Sequence, residues 1–444
     1  MSNQVQSNMR RVAYTALAGT SIEWYDFFLY GAAAALIFPT VFFGEASPST
    51  ALILSFLTFA AGFIARPIGG IIFGHFGDRI GRKKTLVIAL ILMGVSSTLI
   101  GLLPTYAMIG VTAPILLTTL RFAQGIAIGG QWGGAMLLVT ESAPSNQRGY
   151  YGAFAQAGAP AGVILANLAF IITSASVSDE SFLAWGWRIP FLASALLIAI
   201  SMYIQLNLED TKAFKELQSY KENHLKDNNL NETSFKKSPI IEAIKKYPKR
   251  IILAAGAFLS IQVTFYILIA FMLVYGVSDT NLSRADILTA ILIASAIQIP
   301  VQFVFASYSD RHGRKGIFML GAVLTALWAF AIFPLVDTGS FWLTVLAITG
   351  GLVFLAMMYG PQAAFFTELF TTEVRYSGAT LGYQFGAIAG GAFAPSIAAF
   401  LWTEYDIVWV SAYIAFASLL TLLSVMTLTE TFQTDLNETT SQEI

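Results

Sequence analysis

The chain has no cysteine, which excludes disulfides, thiol catalysis and thiolate metal sites. Its three histidines, His75, His224 and His312, are scattered, so no histidine-rich metal cluster is expected. Charge is scarce as well. Asp, Glu, Lys and Arg make up 11% of 444 residues, against roughly a quarter in soluble domains. No nucleophile elbow, phosphate loop or signalling domain occurs, which argues against an enzyme or a sensor. What fills the chain is apolar: 56% hydrophobic residues and a mean hydropathy of +0.67. That is the composition of a polytopic membrane protein.

Apolar windows of about 20 residues mark spanning helices. Twelve are predicted, over 12–40, 51–77, 85–103, 112–140, 150–174, 187–207, 251–277, 286–307, 316–335, 341–367, 377–402 and 407–429. The first is too long for a signal-peptide core and is read as an uncleaved span. With both termini cytoplasmic, 21 of the 25 Lys and Arg fall on the inner side. Such an arrangement is expected for a multi-pass protein of a bacterial inner membrane. Residues 208–250 are polar and Lys/Asn/Glu-rich. They are predicted to be a cytoplasmic linker between six-helix bundles at 1–207 and 251–430, with a tail from 431 to 444 that is acidic and disordered.

Two landmarks repeat. The basic turn Gly74-His75-Phe76-Gly77-Asp78-Arg79-Ile80-Gly81-Arg82-Lys83-Lys84 returns as Ser309-Asp310-Arg311-His312-Gly313-Arg314-Lys315, with Asp78 and Asp310 232 positions apart. Glu141, Arg148 and Gln156 return as Glu368, Arg375 and Gln384, at offsets of 227, 227 and 228. Two landmarks in near register argue for duplicated six-helix halves, a plan used by transporters whose substrate lies between the halves. Although glycine-rich and basic, the turn sits where topology requires positive charge. A phosphate or nucleic-acid site is therefore not expected.

Gly74-x3-Asp78-Arg79-x-Gly81-Arg82-Lys83 resembles the signature turn of the major facilitator superfamily. Arg121-x2-Gln124-Gly125-x3-Gly129 is similar to that superfamily's fourth-helix motif. In finer detail, Glu23-Trp24-Tyr25-Asp26-Phe27, Ala65-Arg66-Pro67-Ile68-Gly69-Gly70, Gly129-Gly130-Gln131-Trp132 and Trp185-Gly186-Trp187-Arg188-Ile189-Pro190 resemble its metabolite:proton symporters. The resemblance implies an all-α fold of twelve transmembrane helices in two pseudo-repeated bundles. It implies proton-coupled uptake of a small organic acid such as shikimate or a di- or tricarboxylate. A zwitterionic osmolyte (proline or betaine), or uncoupled exchange, is the alternative. The expected partners are a small carboxylate, protons and the bilayer; the chain is expected to be a monomer with no cofactor. One departure is Gln131, where the family usually has Glu. The resemblance also implies a cytoplasmic gate built from Asp78, Arg79, Arg82, Glu141, Arg148, Asp310, Arg311, Arg314, Glu368 and Arg375.

Ionisable side chains inside a span cost on the order of 2.5–3.5 kcal/mol each and are functional candidates. The first window holds Glu23 and Asp26, the second Arg66 and the fourth Arg121. Glu23 and Asp26 are three apart and share a helix face. Asp26 and Arg121 come out at similar depths, roughly 15–20 Å from the outer helix ends, so the four can meet. Asp26 or Glu23 is expected to carry the coupling proton, while Arg121, with Arg66, holds the substrate carboxylate. Substrate competing for the arginine would free the acid to take a proton. The same four would equally serve as ion pairs locking three helices together. In the second half, Gln298, Gln302 and Tyr383 are the expected hydrogen-bonding substrate ligands.

Overall fold

The structure is a computed structural model that describes residues 3–80, 82–129, 136, 139–140, 143–206, 239–371 and 374–432. Within these ranges, side chains are described except at 3–8, 11, 74–86, 201, 204–206, 239–241 and 376. Twelve long helical segments make up the described residues. They are α1 Asn3–Leu36, α2 Pro48–Ile80, α3 Arg82–Leu102, α4 Thr112–Gly129, α5 Arg148–Ser176 and α6 Arg188–Leu206. The second half has α7, beginning at Pro248–Tyr266, then α8 Arg284–His312, α9 Arg314–Asp337 and α10 Phe341–Glu368. It ends with α11, beginning at Arg375–Gly386, and α12 Ile407–Thr427. Among the described residues, eight helices are individually long and apolar enough to cross a membrane.

Two of the helices are not regular throughout. α7 passes through a π-turn at Ile267–Phe271 before resuming as Met272–Asp279. α11 passes through one at Ala387–Ala392 before Ala394–Glu404. Single-turn π segments interrupt the hydrogen-bond ladder and tend to fall at functional positions. Both lie close to the centre of the molecule.

The repeated basic turns are shorter than the sequence implied. α2 continues to Ile80 and α3 restarts at Arg82; in the second copy α8 runs to His312 and α9 restarts at Arg314. The described residues of each stretch are thus mostly helix, and in the second copy the break falls at Gly313. Gly313 has φ +98°, a conformation that residues with a Cβ seldom adopt. Of the predicted linker, residues 239–250 are described: Pro239–Lys246 is a short helix that buries Ala243, and Pro248–Arg250 already belong to α7, so the linker ends earlier than expected; residues 207–238 lie outside the described residues. The predicted tail is ordered at its start, where buried Thr431 donates a 2.8 Å hydrogen bond to Glu368.

Helix packing relies on glycine at the crossings. A Cβ on Gly125 of α4 would lie 2.1 Å from the Gly62 carbonyl oxygen of α2, and one on Gly129 would lie 1.9 Å from that of Arg66. The two backbones therefore touch, which brings the side chains of α2 and α4 to one place. On α5, Gly158 and Gly162 take Thr20 and Trp24 of α1; on α11, Gly386 and Gly390 take α7 in the same manner. Gly125→Ala is expected to destabilise the fold by about 1–3 kcal/mol. Gly316→Ala, with nothing within 4 Å, should leave it unchanged. Thermal unfolding in detergent measures both, and equal melting temperatures would refute the backbone contact.

Candidate functional site

Gly62 shapes the site by what it lacks. A Cβ there would stand 2.7 Å from Nε of Arg121, so only glycine lets that side chain lie across α2. Arg121 and Arg66 are fully buried, with 0% and 1% exposure. Neither is held by a carboxylate. The Arg121 guanidinium lies 4.1 Å from the Phe27 ring centroid, 4.3 Å from that of Tyr30 and 4.7 Å from that of Phe59. Arg66 lies 4.3 Å from the same Phe27 ring, 4.4 Å from Phe63 and 5.4 Å from Trp24. Phe27 is therefore shared by two cations. A desolvated cation–π contact contributes on the order of 2 kcal/mol, which offsets part of the cost of burying each charge.

Polar partners of the arginines are incomplete. Arg121 donates to Gln124 at 3.2 Å, and Gln124 donates to Ser97 at 2.7 Å. Nε and Nη2 of both arginines have no hydrogen-bond acceptor. Asp26, 1% exposed, is close enough to Arg121 to interact with it electrostatically and neighbours Ser97 and Ser194. Neither of its oxygens closes a hydrogen bond, and no ion pair joins it to either arginine. The expectation that the four charges meet thus holds for Asp26, Arg121 and Arg66 as neighbours, but not as ion pairs. Aromatic rings occupy the space that salt bridges would need. Glu23 is half-buried, whereas Asp26 is enclosed.

Beyond Arg66 lies a small cavity lined by both halves. Trp24 and Phe28 of α1 and Ala159 of α5 line one side; Gln262, Tyr266, Tyr359 and Tyr383 from α7, α10 and α11 line the other. Arg66 is within electrostatic reach of all three tyrosines. The cavity has a volume of about 10 Å³, room for a single water. It is sealed on one side where Phe28 meets Phe265, with centroids 5.5 Å apart, and Phe63 meets Gly391.

Of the three residues expected to bind substrate in the second half, Tyr383 sits in the cavity wall, whereas Gln298 and Gln302 do not. Gln302 donates 3.2 Å to the Ala153 carbonyl of α5, so it joins the halves along a helix seam. Gln298 is fully buried away from the lining, and its amide atoms have no partner. Their positions on α8 place them against α5 and α10. Sequence reasoning also passed over Phe27, Phe59 and Phe63. Their spacing is that of any apolar helix face, and only the arginines beside them give them a role.

The seam between α5 and α8 ends in a charge cluster. Asp310 accepts from the backbone N–H groups of Gly149 and Tyr150, both at 2.8 Å, capping the N-terminus of α5 from the other half. Arg314 binds Asp310 at 2.7 Å and Glu368 at 3.1 Å, and Arg148 stands 3.8 Å from Glu368. Arg375 donates 3.3 Å to the Phe370 carbonyl. Glu430 adds acceptors that the sequence did not single out, taking the N–H groups of Arg314 and Lys315 at 2.9 and 3.0 Å. Arg311, also among the expected gate residues, is exposed and stands outside this cluster. Glu141, Gln131 and the side chains of Asp78, Arg79 and Arg82 lie outside the described residues.

Replacing the shared ring tests the cation–π arrangement. Phe27→Leu should cost about 1–3 kcal/mol in unfolding free energy, with Phe27→Tyr close to the parent; equal losses in both variants would show that the ring only fills space.

Comparisons with known proteins agree with this architecture. The model of the Major Facilitator Superfamily matches residues 17–381 and 279–442. The chain is 38% identical to the inner membrane metabolite transport protein YhjE of Escherichia coli, over 96% of this chain and 95% of that protein. It is 39% identical to the shikimate transporter of Escherichia coli, over 92% and 91%. With the proline/betaine transporter of Salmonella typhimurium it shares 33% identity over 95% and 84%. The partially occluded, inward-open xylose transporter XylE of Escherichia coli superimposes with a TM-score of 0.74 at 19% identity, covering 96% of this chain and 99% of the other. On its sequence and its fold alike, the chain belongs to the Major Facilitator Superfamily and is a multi-pass membrane transporter, not an enzyme.

Proposed function

We propose that this transporter is a proton-coupled symporter that brings a small organic acid into the cell across a bacterial inner membrane, with both termini cytoplasmic. One observation carries this reading. Two buried guanidiniums with unpaired N–H groups stand beside a single fully buried carboxylate, Asp26. Buried charge without a partner is costly, and like charges a few ångströms apart add to that cost. An anionic substrate next to Arg66 supplies the missing acceptors. Drawing positive charge toward the substrate leaves Asp26 less well stabilised as an anion, so it takes up a proton from the outside; release of both reverses the step. Resemblance to a shikimate transporter supports a cyclic carboxylic acid.

The aromatic lining favours a second reading. Trp24, Phe28, Tyr266, Tyr359 and Tyr383 make a cage of the kind that receives a quaternary ammonium, and a betaine would present its carboxylate to Arg66. A thermal-shift screen of shikimate, oxoglutarate, citrate, proline and betaine separates the two. Stabilisation by the acids alone supports the first reading; stabilisation by betaine and proline alone supports the second. In liposomes, a pH jump should drive uptake that a protonophore abolishes. Asp26→Asn should reduce that accumulation at least about tenfold while leaving counterflow exchange intact. Uptake that persists with the protonophore would identify an uncoupled exchanger.

The cluster of Asp310, Arg314, Glu368 and Arg148 is assigned to the cytoplasmic gate, since it ties α5 of one half to α8 and α10 of the other. Removing one partner of such a buried network costs about 3–5 kcal/mol. Glu368→Gln should therefore leave ligand-induced thermal shifts in place while slowing uptake. Loss of binding in a folded variant would refute the gate assignment.

A further inference from the structure

Arg311, left out of the gate, faces a groove on the outer surface of the bundle. This groove, about 440 Å³, lies at the seam of α8 with Tyr150 of α5. Along α8 it is lined by Phe303, Val304, Tyr308, Arg311 and His312, which recur at the spacing of one helix face. Its polarity is graded. Val304 is 64% exposed and Tyr308 47%, in a span that faces lipid, while Arg311 and His312 lie at the charged helix end. From Phe303 to His312 is about 13 Å along the axis, close to the ~15 Å depth of one leaflet's hydrocarbon.

We propose that this groove binds one anionic phospholipid, with its phosphate on Arg311 and His312 and an acyl chain along Val304 and Phe303. Three observations argue for an anionic lipid over the bulk bilayer. Among the described residues Arg311 makes no ion pair, and Asp310, the acid beside it, is turned inward and engaged by α5 and Arg314. His312 stacks on Tyr308 at 4.2 Å between centroids, with Nδ1 against the Tyr308 carbonyl 3.2 Å away. That contact fixes the ring and leaves its other nitrogen for a phosphate. Tyr150, 37% exposed, brings the interfacial ring of the opposite half, so one lipid would touch both sides of the seam.

The absence of cysteine makes a site-specific test direct. A bimane on Val304→Cys, in otherwise unaltered protein in nanodiscs, is titrated with brominated phosphatidylglycerol or brominated phosphatidylcholine. Quenching should show about a fivefold preference for phosphatidylglycerol. Arg311→Gln/His312→Gln, at exposed positions, should bring the two lipids level, and the same probe at Leu419→Cys on α12, also lipid-facing at 50% exposure, should show no preference. Excess glycerol phosphate should leave the preference in place. The proposal is overturned if Val304 shows no preference, if the double variant keeps it, or if Leu419 shows it equally. Displacement by glycerol phosphate would also overturn it, by assigning the groove to a soluble phosphate.

Discussion

Two arginines and one aspartate share a pocket that water does not reach, and this imbalance of charge governs the rest of the molecule. Burial forbids the usual remedy of solvation, and the geometry forbids salt bridges, because Phe27, Phe59 and Phe63 stand where carboxylates would have to be. Aromatic faces stabilise the cations enough for folding and not enough to satisfy them. A site held in that state responds to any anion or proton that can enter it. Full ion pairing would have given a more stable protein and a less responsive one.

The arrangement depends on glycines that place backbones in contact. Gly62 makes room for Arg121, and Gly125 and Gly129 draw α4 onto α2 so that Arg121 and Arg66 fall on either side of one ring. The same device joins α1 to α5 and α7 to α11. Chemistry at the centre and packing at the crossings thus come from the same residues, which explains why so few polar groups are needed.

Much of this was legible in the sequence, for physical reasons. Apolar windows must be helices because lipid leaves no other way to satisfy the backbone, and ionisable residues inside them are too costly to be incidental. Hence the twelve helices and the buried Asp26, Arg66 and Arg121. What could not be read was relative rotation. Gln298 and Gln302 look like cavity residues until α8 is seen packed with that face toward α5 and α10. Arg311 and Arg314 look equivalent in sequence, but α8 ends at His312 and the chain turns at Gly313 before α9 begins, so Arg314 joins the charge cluster while Arg311 stays exposed. The contribution of Glu430 was invisible because it acts across 116 residues of sequence.

α5 and α8 run antiparallel and stay joined from end to end. Gly149 and Tyr150 meet Asp310 at one end, Ala153 meets Gln302 further in, and Asn167 reaches the Leu288 carbonyl at 3.3 Å near the other. Such a pair acts as a lever with a fastener at each tip. Whichever fastener is weaker sets the resting population of inward- and outward-facing forms, and so the fraction of molecules able to receive substrate from either side. The apparent affinity of this transporter is therefore determined partly by hydrogen bonds distant from the cavity, which never touch what it carries.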